Sequence, residues 1–236
     1  MYPHRFTNIH MFVQRIADNV VKYGYRKYVT GTIPEGRDPL EVDAKILAKY
    51  GINVSRWSRY RRKEKGQASI HYARHQEFFV MFAPAQGEHR WYDLEQWQSE
   101  AQLREHGSKI RDIASKPLAR GGYTISLKHS TGTGRVHPVV RIHPNEYRAL
   151  KAYYLHLARH RSPEKLVEEF ARFPFEPWAG VKLQRWNILQ AVNKVRRRAG
   201  FKEVDGGCFK KTRTPYKLMV PECCELIHEQ HEVEAA

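Results

Sequence analysis

The chain has 236 residues, 41% of them apolar and 12% aromatic, and a formal charge of +16. That apolar content supports a packed core and excludes a disordered chain, and no apolar run approaches the roughly 18 residues that would span a bilayer. A positive surplus of this size repels itself in the compact state and points to an acidic partner, most commonly nucleic acid, with no membrane involved.

Thr7 is placed to cap a first helix in which Ile9, Phe12, Val13, Ile16 and Val20 recur at helical spacing until Gly24. Residues 25–33 are rich in β-branched and aromatic types and read as a strand. Asp38, Pro39 and Glu41 then supply a cap, an N1 proline and a carboxylate at N3, predicting a helix that runs to Tyr50 and stops at Gly51. Ser55 is a cap for a short helix ending at Gly66. Residues 68–83 read as one long strand or a tight hairpin, and 85–120 are polar and mixed, with Trp91, Tyr92, Leu94 and Trp97 as expected anchors. Tyr123 to His129, the turn STGTG and Val136 to His143 form the clearest hairpin signal. Pro144 opens a helix to about Arg161, Ser162-Pro163 caps another to Phe173, and a last helix spans about Val181 to Ala199.

This order predicts an α+β fold: a small mixed or antiparallel sheet with helices, then a helical part and a basic tail. The expected divisions are an α+β domain over 1–143, a helical part over 144–200, and a basic arm with an acidic terminal segment over 201–236. The opening MYPHRFTNIH has no secretory-signal pattern, and three cysteines, two of them adjacent, do not make a disulfide scaffold, so an intracellular, cytoplasmic location is expected.

The basic residues cluster. RWSRYRRKEKG, from Arg56 to Gly66, holds six Lys or Arg against one Glu. On a helix the charge wraps most of the circumference, leaving Trp57 as the only large apolar anchor. Arg196, Arg197 and Arg198 end the last helix, where part of their charge complements the helix dipole. Lys210, Lys211, Arg213 and Lys217 follow in the tail. Guanidinium forks meet phosphate oxygens, and aromatic rings offer faces to unstacked bases. The expected nucleic-acid contacts are therefore Arg56, Trp57, Arg59, Tyr60, Arg61, Arg62, Lys63 and Lys65, together with those two further clusters. The expected function is nucleic-acid binding, DNA ahead of RNA, in association with mobile DNA, replication or recombination.

Two other functions compete. The order of a His-bearing strand and a Tyr-bearing helix is similar to single-strand nucleases of the rolling-circle or transposase type, which need Mg²⁺ or Mn²⁺. It makes His137, His143, Tyr147 and Tyr154 candidate catalytic residues, although the His-apolar-His element of those enzymes is missing. Tyr147, Leu150, Tyr154 and Leu157 also share one helical face, as core residues do. An RNP-associated RNA-binding protein would use the same basic arms. His71 and His75, four apart on a strand, sit roughly 13 Å apart and cannot share a metal on straight backbone. Cys224, His228 and His231 at i, i+4 and i+7, with Cys208, form a candidate zinc set whose spacing matches no standard finger.

Overall fold

A computed structural model describes residues 3–92, 109–130, 132 and 134–209. These fall into two compact units, one before Pro117 and one from Pro117 onward. The fold is α+β. The division lies earlier than the expected one after residue 143, because the 123–142 hairpin packs with the helices that follow it.

In the first unit a five-stranded sheet runs in the order β1-β3-β4-β2-β5. Its strands are β1 (Arg5–Phe6), β2 (Tyr25–Thr32), β3 (His71–His75), β4 (Phe78–Pro84) and β5 (Arg111–Asp112). β1 lies parallel to β3, and the other pairs are antiparallel. The 68–83 run is thus a hairpin; Gln76 turns it with a left-handed φ of 57°.

Helix α1 (Ile9–Asn19) is capped by Asn8, whose side chain accepts from His10 N, and not by Thr7. Asn8 is one residue closer to the first unpaired amides, so its oxygen reaches them. The buried face of α1 centres on Phe12, whose ring meets Phe6, His75 and Phe78. Helix α2 (Pro39–Lys49) has the expected cap at Asp38. It docks through a carboxylate: Asp43, 3% exposed, accepts from Tyr72 Oη at 2.6 Å and from Arg74 Nε and Nη2. Burial pushes the Asp43 carboxyl up, but hydrogen bonds from His4, Arg74 and Tyr72 and the Arg74 charge outweigh it, leaving its pKa lowered. A core of Val29, Tyr50, Ile52, Ile70, Tyr72, Met81 and Trp91 lies beneath.

In the second unit β6 (Leu118–Arg120), β7 (Tyr123–His129) and β8 (Val136–Ile142) form an antiparallel meander. Helices α4 (Pro144–His160), α5 (Pro163–Ala171) and α6 (Ala179–Arg198) follow, with Ser162 capping α5 as expected. Gly180 lets α6 approach β8: a Cβ there would lie 2.5 Å from the Val140 carbonyl oxygen. Gln184 then bonds both the N–H and the C=O of Ile142, at 2.7 and 3.1 Å, as a neighbouring strand would.

The helices share a core of Tyr154, Leu157, Leu166, Phe170, Ile188, Leu189 and Val192. The described residues after Gly200, 201–209, return to this core. Val204 is buried, its backbone N–H and C=O both paired with the Asn193 side chain, and Gly206–Phe209 forms a 3₁₀ turn.

Candidate nucleic-acid interface

The basic cluster forms helix α3 (Arg56–Glu64). Ser55 Oγ accepts from Ser58 N, Arg61, Arg62 and Lys63 occupy the last turn, and Gly66 at φ 71° ends the element. The local sequence explains the helix: a capping hydroxyl satisfies an early amide, and late cations complement the dipole.

What holds α3 in place differs from the expectation. Trp57 is not an anchor; it is 74% exposed, and Tyr60 is 55% exposed. Their rings meet edge to face at 6.5 Å. The helix is tied instead by polar contacts. Arg62, half-buried, donates from Nη1 to the Gly51 carbonyl at 2.9 Å, and Gln67 N bonds the Arg62 carbonyl. Beyond the helix, Ala68 N donates to Glu88 O and Glu88 N to Gly66 O. Arg62 therefore docks the helix, a role that its place among the expected nucleic-acid contacts did not include. Arg61, Lys63 and Lys65 are exposed, Arg59 is half-buried, and the Arg56 side chain lies outside the described residues.

Beside α3 lies a cleft of about 670 Å³. Its lining includes Tyr23 and Tyr25, on either side of the left-handed Gly24, and Arg59, Tyr60 and Lys63 of α3. Tyr23 is 69% exposed. His71 of β3 lines the same cleft, its ring edge-on to Tyr25 at 4.3 Å. Burial lowers the His71 pKa to about 3, with help from the charges of Arg15 and Arg59, so the imidazole is neutral near pH 7. A second cleft of about 660 Å³ opens by Arg62, Gln67, Glu88, His89 and Arg90. Burial also lowers the His89 pKa, although a backbone hydrogen bond with Tyr50 opposes it.

The arginine run of α6 does not form the expected patch. Arg196 is 4% exposed, and its guanidinium donates to the carbonyls of Ala158, Arg161 and Lys202 at 2.8, 2.8 and 2.6 Å. It closes the C-terminus of α4, whose last carbonyls need donors. This corrects its assignment as a nucleic-acid contact. Arg185 does the same for α5, donating to Phe170 O at 2.6 Å with its guanidinium over the Phe209 ring. Arg197 is bidentate with Glu203, and Arg198 is exposed.

The nuclease candidates have other tasks. Tyr154 is buried, stacked on Phe170 at 4.3 Å, and donates to Glu169 O at 3.0 Å, so it is a core residue and not a poised nucleophile. His143 caps α4 and accepts from Asn145 N. His137 is exposed on β8, and Tyr147 packs at the edge of the helical core, where burial raises its pKa. Among the described residues no group of three or more His, Cys, Asp or Glu is placed to hold a metal ion, and no helix is long and apolar enough to cross a membrane. Cys224, His228, His231, Lys210, Lys211, Arg213 and Lys217 lie outside the described residues, as does the Cys208 side chain.

The residues missing from the sequence reading are Tyr23 and Tyr25, and His71 entered it only as a metal ligand set aside on distance. Two tyrosines flanking a helix-ending glycine were the available signal, but nothing local says that the turn will face a helix beginning more than 30 residues later. Comparison with family models, curated proteins and solved structures gave no match.

Proposed function

We propose that this chain binds nucleic acid, duplex DNA in the first place, through helix α3. One observation carries the reading: a capped and docked helix holds Trp57, Tyr60, Arg61, Lys63 and Lys65 out in solvent. Exposed cations serve phosphates, and an exposed Trp-Tyr pair adds flat apolar area that a lone solvated helix does not use. An exposed helix is of a size to enter the major groove of duplex DNA, whereas the major groove of duplex RNA is too narrow for it.

The test is a binding titration on duplex DNA and duplex RNA of the same sequence. Affinity for DNA should exceed that for RNA and fall about a hundredfold between about 50 and 200 mM salt if four phosphates are contacted. Binding that is flat with salt would refute the proposal.

A further inference from the structure

The cleft beside α3 is more specific than a basic surface. Its lining carries three aromatic rings, Tyr23 and Tyr25 from the turn around Gly24 and Tyr60 from α3. Arg59 and Lys63, on the same helix as Tyr60, bring positive charge to the lining, and among the described residues no Asp or Glu lines the cleft. Asn19, Gln67 and Gln86 add amide groups able to donate and accept. Its volume of about 670 Å³ falls in the range of small-molecule sites, large enough for one nucleotide. The exposed Tyr23 is not needed to fill the core, which leaves its ring face available to a flat partner.

From this arrangement we infer that the cleft receives a single unpaired nucleotide of a bound DNA strand, its base against Tyr23 and Tyr60 and its phosphate near Arg59 and Lys63. Aromatic rings take any base by its flat face, so the site selects an unpaired nucleotide over a paired one without selecting its sequence. The neutral His71 adds a hydrogen-bonding ring to the lining without further charge. The chain would then distinguish a duplex with an overhang or a flipped nucleotide from a blunt duplex. This inference rests on the proposed role of α3, and its test separates the two.

The full-length chain is titrated with a blunt duplex and with the same duplex carrying a short single-stranded overhang of thymidines. Wild type should bind the overhang duplex about tenfold more tightly, the effect of one good base–aromatic stack. Tyr23→Ala should abolish that preference and leave blunt-duplex affinity intact, while Tyr23→Phe should retain it. Thymidine monophosphate added in excess should erase the preference in wild type and leave blunt-duplex binding unchanged. Equal affinity of wild type for both duplexes would overturn the cleft inference and leave the α3 proposal standing. A preference that survives Tyr23→Ala would overturn it as well. Failure to bind either duplex would overturn both.

Discussion

The guanidinium of Arg62 rests on the carbonyl of Gly51 at 2.9 Å, so one of the helix's own cations fastens the basic helix to the turn before it. A Cβ at Gly51 would lie 3.3 Å from that guanidinium, and the backbone there has a φ of 57°. Arg62→Ala should therefore lower thermal stability as well as DNA affinity, since a charged hydrogen bond of this kind contributes about 1.5–3 kcal/mol. Arg61→Ala, one residue away but exposed, should reduce affinity with no change in melting. Melting curves and binding titrations on the two variants would establish the difference; equal melting of both would show that the Arg62 contact does not hold the helix.

Trp57 stands 74% exposed on the same helix. Trp57→Ala should leave the melting temperature unchanged, because no core contact is lost. If the ring meets nucleic acid, affinity should fall by about 1–3 kcal/mol. A clear drop in stability would instead place the ring in packing.

Arg196 and Arg198 are neighbours of identical chemistry with opposite expected effects. Arg196→Ala would leave the buried carbonyl of Ala158 and the part-buried carbonyls of Arg161 and Lys202 without this donor, and stability should fall by about 3 kcal/mol. Arg198→Ala should change it by less than about 0.5 kcal/mol. Chemical denaturation of the two variants measures both.

His71 predicts acid sensitivity. Its folded pKa of about 3 lies well below the ordinary value of 6.5, because partial burial disfavours the charged ring and the charges of Arg15 and Arg59 add to that. The unfolded chain therefore takes up a proton near pH 6.5 that the folded chain refuses. The stability contributed is present in full above that pH and is lost progressively as pH falls toward 3. Between pH 7 and pH 5 the loss should amount to about 2 kcal/mol. His71→Asn removes the titrating group, so its stability should decline less over that interval than wild type's. Parallel pH profiles would refute this assignment.

Gly180 is needed for the approach of α6 to β8. Gly180→Ala would push a methyl group into the Val140 carbonyl and the Arg141 side chain. The strain should exceed the gain in helix propensity, which is about 1 kcal/mol, and lower the melting temperature.

Most elements of this fold were legible because their signals are local. Asp38-Pro39 and Ser162-Pro163 mark helix starts through a side chain and an amide two or three residues apart, and Ser55 and Gly66 bracket α3 in the same way. The 123–142 hairpin follows from its alternation and its turn. Such contacts form between near neighbours whatever surrounds them, so the order of residues is enough to specify them.

The roles of the cations were not legible, because a long side chain acts at a distance that sequence spacing does not encode. Arg196 reaches carbonyls 35 and 38 residues away, and Arg74 reaches a carboxylate 31 residues away. Both resemble the exposed arginines around them until the helices and strands have packed. The cleft beside α3 likewise assembles residues from Asn19 to Gly87. Charge and aromatic content along the chain raise the expectation of an acidic, flat-faced partner. Packing settles which cations are consumed in holding helices together and which remain at the surface.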